Sequence, residues 1–401
     1  MIAKIDFSIS FLVLILCTIG LLAVYSATAF NVQETAFFNR QLLFIIIGII
    51  LMLSIVYIPF RLIQRTAYPL YVISILLLIA VYFFGVKGFG AERWLSFGSF
   101  RFQPSEIAKI TTILAVAKYL SSRDAGINKV KHFFVVLALI GLPLILIMRQ
   151  PDLGTSLVFA ALLVPLLFWA GLKWFPLFLL ISPIFTMLSS FNTIVLILWL
   201  VVIAAILYLS RKKIVLLLGI LLLHIGVGFA TPFMWDQLQP YQKNRILTFI
   251  NPESDPRGAG YQIIQSQVAI GSGGIWGKGF MNGTQTQLKF LPAQHTDFIF
   301  SVIAEEWGFV GVIIVIFTFI LLLIYLINLA ASVRSTFSSI TLIGITSVLF
   351  FHIFVNIGMT VGVAPVTGLP LPFISYGGSF LFSIMLMMGI SQNIAANKFL
   401  I

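Results

Sequence analysis

The stretch from Gln294 to Ala330 reads QHTDFIFSVIAEEWGFVGVIIVIFTFILLLIYLINLA. It opens on four polar residues, adds Glu305 and Glu306, and then carries no charged side chain as far as Ala330. About 20 consecutive apolar residues are enough for a helix to cross the hydrocarbon core of a bilayer. The stretch therefore predicts a membrane span at about 304–330, with a polar segment at the membrane surface just before the span.

The composition extends this interpretation to the whole chain. Of 401 residues, 60% are hydrophobic and 9% are charged, whereas a soluble domain carries about 25% charged residues. These values exclude a soluble globular enzyme. They predict an all-α, polytopic membrane protein that forms a single domain over residues 1–401, and no nucleic-acid partner is expected for it.

Apolar runs of spanning length recur along the chain and predict about twelve transmembrane helices. The runs lie at 7–26, 41–57, 67–84, 105–120, 133–148, 154–171, 175–190, 192–209, 214–231, 304–330, 338–361 and 377–396. In the short loops, Lys and Arg concentrate on the side of the N-terminus, above all at 118–131 and 211–213. Such loops mark the cytoplasmic side, so both termini are predicted to be cytoplasmic and the large loop at about 231–297 extracytoplasmic.

The predicted outer side holds most of the acidic residues and several basic ones near helix ends, among them Arg93, Arg101 and Lys109. Any one of these can be a solvated loop charge. As a set they suit an anionic headgroup, diphosphate above all. Glu106 and Lys109 stand three residues apart on one helix face, and they form either a structural ion pair at the helix mouth or a functional pair facing a cavity.

Two glycine-rich segments belong to the same side. GSGGIWGKG at 271–279 follows a short amphipathic helix predicted at 261–270, but it is not a nucleotide site. A P-loop requires Gly, four residues and then Gly-Lys-Ser/Thr, whereas Ser272 holds the first position and Gly279 follows Lys278. PVTGLPLPFISYGGS at 365–379 cannot form an undisturbed helix, and such backbone is stable at membrane depth only where protein or a water-filled cavity covers it.

Several of these motifs together resemble those of one family of bacterial cell-wall proteins. The chain resembles the SEDS family (shape, elongation, division, sporulation) over nearly its whole length, in the right order. The matching pieces are RWL at 93–95, QPSEIAKI at 103–110, QPDLGTSL at 150–157, the block 251–306, FVNIGM at 354–359 and GLPLPFISYGGS at 368–379. Within the family, GTQTQLKFLP and Pro370 favour the rod-shape-determining, RodA-like branch over the division-type, FtsW-like branch.

The resemblance implies a peptidoglycan glycosyltransferase of the bacterial cytoplasmic (inner) membrane. Such proteins polymerise lipid II at the outer face, release undecaprenyl diphosphate and invert the anomeric centre. They work with a class B penicillin-binding protein, a transpeptidase, and with other proteins of the elongation machinery. The residues leave two other functions open: a lipid II flippase or transporter, which many spans and broken helices fit, and a scaffold that only recruits the transpeptidase.

Asp297 is the predicted catalytic residue. From the residues alone, Asp297 fits a helix N-cap, since His-Thr-Asp precedes an apolar run. The resemblance implies instead that it is the general base, which takes the proton of the acceptor hydroxyl. The predicted substrate-binding residues, for the diphosphate and the glycan, are Arg93, Arg101, Glu106, Lys109, Lys278, His295 and Thr296. A divalent cation, Mg or Mn, suits this chemistry, but no ligand set can be identified.

The chain departs from the family pattern in two places. The family usually has ten spans, so the hydrophobic pair near 175–209 is an expected surplus of unknown role. Ala293 stands where the family commonly has Glu, four residues before Asp297. We expect Ala293 to tune the site.

Overall fold

A computed structural model describes residues 5–29, 35–88, 91–97, 100–122, 127, 130–210, 214–238, 240–254, 259–288 and 290–398. The basic run 211–213, most of 123–129, and residues 255–258 and 289 of the 251–306 block lie outside the described residues.

Twelve long helices form the described part of the fold, one for each predicted apolar run. They are α1 (Phe7–Thr28), α2 (Thr35–Val56), α3 (Phe60–Phe84), α4 (Pro104–Leu120), α5 (Val130–Arg149), α6 (Leu153–Trp169), α7 (Trp174–Ser189), α8 (Thr193–Leu209), α9 (Ile214–Gln237), α13 (Ile299–Ser332), α14 (Thr336–Val361) and α15 (Gly378–Ala396). Among the described residues, 8 helices are long and apolar enough to cross a membrane, and α6, α7 and α8 are shorter apolar helices. The remaining one, α4, has 17 residues and carries Glu106, Lys109 and Lys118. The chain is a polytopic membrane protein.

Polar residues in the loops define where several of these helices begin. The carboxylate of Asp6 accepts from the backbone N–H of Ile9, and that of Asp152 accepts from the N–H of Thr155. The Asn192 side chain does the same for α8. Each such side chain satisfies a backbone donor that has no partner within the helix, which matters most where the helix enters an apolar environment.

The centre of the bundle lies around α4, α14 and α15, whose side chains are mostly buried. α15 packs along α2, α14 packs against α4, α6 and α13, and α1 packs against α13. Gly20 of α1 lies so close to the chain at Ile374 that an added Cβ would come within 2.6 Å of its Cα. The stretch 369–375 of the non-helical segment 362–377 is mostly buried, as predicted for irregular backbone at this depth.

The surplus pair, α7 and α8, packs with α9 and joins the centre through α7 and α6. Two buried polar contacts connect the three helices. Ser182 Oγ of α7 lies 2.9 Å from His224 Nε2 of α9, and Trp199 Nε1 of α8 donates to Thr186 Oγ1 at 3.0 Å. The pair is thus a hairpin at the edge of the bundle rather than an insertion into its core.

The loops on the predicted outer side contain more structure than the sequence predicts. Loop 85–103 forms an antiparallel sheet of β1 (Val86–Gly88), β2 (Ala91–Phe97) and β3 (Phe100–Phe102), a feature the sequence analysis did not predict. The large loop carries α10 (Pro240–Ile250), a 3-10 turn, α11 (Ala259–Gly273) and α12 (Thr284–Gln287). The predicted helix at 261–270 is confirmed as α11, which packs on α13 and α14.

The glycine-rich segment 271–279 lies directly against a break in α13. Gly308 has φ 65° and ψ −161°, and this interrupts the helix below Glu306. Across the break the two backbones pair, with Lys278 N donating to Glu305 O at 3.0 Å and Phe309 N to Gly274 O at 2.9 Å. An added Cβ at Gly277 would lie 2.1 Å from Glu306 O, so the glycines permit this close approach of two backbones.

Candidate active site

The polar segment 293–297 is held by the non-helical segment 362–377. Tyr376 N donates to the carbonyl of His295 at 3.0 Å. The Ser375 hydroxyl donates to the carbonyl of Thr296 at 2.6 Å. Two stretches that are far apart in the sequence therefore form one backbone unit, and both belonged to the motifs singled out from the sequence.

The side chain of Asn356, on α14, also joins these two segments. Its Nδ2 donates to the carbonyl of Asp297 at 2.9 Å and to that of Leu369 at 2.8 Å. Both acceptors are carbonyls, which only accept, so the orientation of the amide is determined by its partners. The side chain is completely buried, and it fixes the distance between the two segments that meet at Asp297.

The carboxylate of Asp297 lies next to Gly368. A Cβ built on Gly368 would stand 3.5 Å from Asp297 Oδ2, and Gly368 has φ +75°. Asp297 is half-buried, and the N-cap position of α13 is Phe298, whose side chain makes no capping bond. Asp297 thus precedes the helix that the sequence suggested it could cap, with its carboxylate beside a glycine turn at the end of the predicted outer loop.

His295 and Thr296 occupy the same unit. The His295 ring stacks on Phe37 of α2, with the two centroids 4.9 Å apart, and meets Tyr376 edge to face at 5.8 Å. The Thr296 hydroxyl donates to the carbonyl of Ala293 at 3.1 Å. Ala293, which stands where the family commonly has Glu, has φ +53°. The structure therefore places three predicted site residues, Asp297, His295 and Thr296, in one turn.

Glu106 and Lys109 form the ion pair expected from their spacing. Lys109 Nζ donates to Glu106 Oε1 at 2.9 Å, and both side chains are buried. The Ser383 hydroxyl of α15 donates to Glu106 Oε2 at 2.6 Å. Lys109 also lies over the ring of Phe380 at 5.3 Å. A buried charge pair is stable only with such further partners.

His352 connects this pair to the segment beside Asp297. Its Nε2 lies 3.3 Å from Lys109 Nζ, and its Nδ1 lies 3.2 Å from the carbonyl of Pro370. His352 was not among the predicted site residues. The signal that could have found it is its spacing, since His352 and Asn356 are the two polar side chains within 348–359 and stand four residues apart on one helix face.

Arg93 lies at the start of α6. Its NH2 group donates to the carbonyl of Pro151 at 3.1 Å, and NH1 lies 3.6 Å from the carboxylate of Asp152. Gln103 Nε2 donates to the same carboxylate at 3.3 Å. The following turn of α6 contacts the segment beside Asp297, because an added Cβ at Gly154 would lie 2.8 Å from Thr367 O.

Arg101 is exposed on β3, and its carbonyl accepts from Ser379 Oγ at 3.2 Å. The outer sheet thus ends at the first turn of α15, next to the glycines of the GLPLPFISYGGS motif. The exposed guanidinium lies on the predicted outer side of the bundle.

Lys278 belongs to a different cluster, centred on the buried Glu305. Lys278 Nζ donates to Glu305 Oε1 at 2.8 Å, and the Gln285 N–H and Thr286 hydroxyl each donate to the same carboxylate at 2.9 Å. Glu306 accepts from the hydroxyl of Ser26. The contacts to Glu305 connect the loop 278–287 to α13. Lys278 is therefore bound to a structural partner, and the structure does not place it with His295 and Thr296.

Comparisons with known proteins agree with this architecture. The family model described as "FTSW_RODA_SPOVE: Cell cycle protein" matches residues 7–201 and 190–399. The chain is 39% identical to peptidoglycan glycosyltransferase MrdB of Escherichia coli K12 over 388 residues, covering 96% of this chain and 92% of that protein. It is 33% identical to peptidoglycan glycosyltransferase RodA of Treponema pallidum over 427 residues, with 98% of each covered.

Solved structures show the same fold. A chain from a peptidoglycan synthase complex that coordinates polymerization and crosslinking superposes with a TM-score of 0.76 at 31% identity, covering 99% of both chains. Rod shape determining protein RodA of Thermus thermophilus superposes with a TM-score of 0.66 at 28% identity, covering 99% of this chain and 98% of that one. The chain belongs to the FtsW/RodA/SpoVE (SEDS) family, and its relatives place it in the RodA-like branch.

Proposed function

We propose that this protein is a peptidoglycan glycosyltransferase that polymerises lipid II, with Asp297 as its general base. The observation that carries the proposal is the position of Asp297. The side chain of Asn356 donates to its backbone carbonyl, and its carboxylate lies beside Gly368. The curated relatives named above are peptidoglycan glycosyltransferases.

The reaction joins the 4-hydroxyl oxygen of an acceptor sugar to C1 of a donor sugar. The C1–oxygen bond to the donor diphosphate breaks, undecaprenyl diphosphate leaves, and the acceptor proton passes to the carboxylate of Asp297. A single base and one direct displacement invert the anomeric centre. A carboxylate within hydrogen-bond reach of the hydroxyl is suited to this proton transfer.

The leaving diphosphate needs positive charge close by as its bond to the sugar breaks. Arg101 is exposed on the outer sheet, and Arg93 is partly exposed at the start of α6. Both guanidinium groups present paired donors that match phosphate oxygens. They are the best candidates for the diphosphate, whereas Lys278 is paired with Glu305.

A divalent cation is a further candidate for charge neutralisation. The described residues contain no group of three or more His, Cys, Asp or Glu side chains that could hold a metal ion. The described residues therefore offer no cage built from protein ligands alone. A cation used by the reaction would take most of its ligands from the diphosphate and from water.

The proposed partner is a class B penicillin-binding protein, and the proposed location is the bacterial cytoplasmic membrane. A peptidoglycan synthase complex among the solved structures supports the partner. Orientation can be tested by cysteine labelling, with the buried native Cys17 replaced by Ala. A cysteine at the exposed Asn282 should react with a membrane-impermeant maleimide in intact cells. A cysteine at the exposed Ser332 should react only after permeabilisation, and the reverse pattern would contradict the orientation.

The decisive experiment for the proposed function uses purified protein with its transpeptidase partner and lipid II. The wild type is expected to produce glycan strands, and Asp297→Asn is expected to abolish them. Asp236→Asn, a substitution of an exposed acid on the same predicted side, should retain activity. Wild-type protein that moves lipid II across vesicles but makes no glycan would identify a flippase, and active Asp297→Asn would refute the base assignment.

A further inference from the structure

His352 is buried completely and lies between two regions of the site. On one side stands the Lys109–Glu106 ion pair, and on the other the Leu369–Pro370 backbone that flanks Gly368. In a membrane protein, a buried ionisable side chain with specific partners is retained for a functional reason more often than for stability. The contacts of His352 define what that function can be.

The partners of the imidazole select one protonation state. The carbonyl of Pro370 can only accept, so the 3.2 Å contact requires a proton on Nδ1. Lys109, paired with Glu106, is an ammonium that can only donate, so the 3.3 Å contact requires a bare Nε2. His352 is therefore the neutral tautomer with its proton on Nδ1, and each nitrogen has one complementary partner.

Two consecutive carbonyls beside Asp297 are then held from the same helix. His352 holds Pro370 O, and Asn356, one turn further along α14, holds Leu369 O together with Asp297 O. Gly368, the residue next to Asp297 Oδ2, directly precedes this pair. The position of the carboxylate relative to Gly368 thus depends on both α14 side chains.

The side chains of this cluster come from three helices. α4 supplies Lys109 and Glu106, and α14 supplies His352 itself. α15 supplies Ser383, which donates to Glu106, and Phe380, whose ring centroid lies 4.7 Å from that of His352. Among the described residues no other charged group is bonded to the imidazole. The chain of contacts Glu106–Lys109–His352–Pro370 is therefore continuous from the ion pair to the segment beside Asp297.

We propose that His352 is a positioning residue for the glycosyl transfer, which acts through its Nδ1–H bond to Pro370 to hold the 368–370 turn against Asp297. This inference rests on the proposed function. It predicts that the Pro370 bond, rather than the contact to Lys109, carries the effect on turnover. The two nitrogens can be separated by substitution, because an Asn amide reproduces the Nδ1 position and a Gln amide reproduces the Nε2 position.

The test measures steady-state lipid II polymerisation by the purified complex for His352→Asn, His352→Gln and His352→Phe. We expect His352→Asn to retain a kcat close to that of the wild type. We expect His352→Gln and His352→Phe to lose about ten- to a hundredfold in kcat, because a misplacement of about 1 Å costs about a hundredfold. KM for lipid II should change far less.

His224 offers a matched control, because it is equally buried, its Nδ1 also contacts a backbone carbonyl, and its Nε2 also contacts a polar side chain. Its Nδ1 lies 2.8 Å from a backbone carbonyl and its Nε2 lies 2.9 Å from Ser182 Oγ, but on α9, away from Asp297. His224→Gln should leave kcat unchanged. Equal kcat for all three His352 variants, or rescue by Gln instead of Asn, would overturn the proposal. Inactivity of the wild type would instead refute the proposed function.

Discussion

Asn356 and Asp297 are joined by a hydrogen bond of 2.9 Å from the side-chain amide of the first to the backbone carbonyl of the second. The bond acts on the backbone of Asp297 and not on its carboxylate. Because the same amide also holds Leu369 O at 2.8 Å, a single side chain sets the spacing between two segments. The proposed general base and the side chain that positions its backbone are therefore two different residues.

Replacement of Asn356 by Leu should lower glycan polymerisation by about a hundredfold, because it removes both bonds and lets the turn move by about 1 Å. The measurement is the rate of lipid II polymerisation per folded molecule. Asn393→Leu is the control, since Asn393 is an equally buried amide that holds the carbonyls of Ile55 and Ile58 on the far side of the bundle. Equal losses in the two variants would show that Asn356 acts only through stability.

Gly368→Ala should reduce activity more than stability. The left-handed backbone at φ +75° costs a non-glycine residue about 1 kcal/mol, and the new methyl group would lie beside Asp297 Oδ2. Gly171→Ala imposes the same strain at φ +86°, but its added Cβ would have no neighbouring atom within 4 Å. Both variants should lower the Tm by a similar amount, and only Gly368→Ala should slow polymerisation. An active Gly368→Ala protein would show that this turn tolerates change.

A double-mutant cycle can separate the contribution of the Glu106–Lys109 pair to stability from its contribution to activity. Lys109→Met alone leaves a buried carboxylate without its charge partner and should cost about 3–5 kcal/mol. Adding Glu106→Gln should restore most of the Tm, because no buried charge remains unpaired. If the pair serves catalysis, the double variant stays inactive although it is folded. Recovery of polymerisation in the double variant would show that the pair has only a structural role.

Lys278→Met tests whether Lys278 contacts the substrate as predicted from the sequence. Loss of its bond to the Glu305 carboxylate should cost about 2 kcal/mol, seen as a lower Tm and faster proteolysis within the loop 278–287. KM for lipid II should stay unchanged if Lys278 is structural. A raised KM in the folded variant would instead support the predicted substrate contact.

The sequence predicted the helices well because each is specified locally by an apolar run, and several also by a polar capping residue at the start. The twelve runs and the amphipathic segment of α11 are of this kind. The sheet of loop 85–103 was missed because two of its strands have only three residues each, and strand pairing depends on partners rather than on local pattern. The resemblance pointed to Asp297, Glu106 and Lys109, but no local signal connected Asp297 to the Glu106–Lys109 pair.

The connection required long-range contacts that a single sequence does not display. His352 lies 243 residues from Lys109, and Asn356 lies 59 residues from Asp297. A polar side chain in an apolar run indicates a buried contact without identifying its partner. For the same reason the sequence predicted that Lys278 binds substrate, whereas in the structure Lys278 is paired with Glu305.

The two ends of the chain meet in the folded bundle, which has a consequence for biosynthesis. Gln392 of α15 exchanges two hydrogen bonds of 2.8 Å with the backbone of Asp6, and Ser383 of the same helix completes the partners of Glu106. Because membrane helices are inserted in order during synthesis, a nascent chain lacks both contacts until its last span emerges. We expect chains truncated before Gly378 to be recognised by membrane quality control as open bundles, however complete the rest of the sequence.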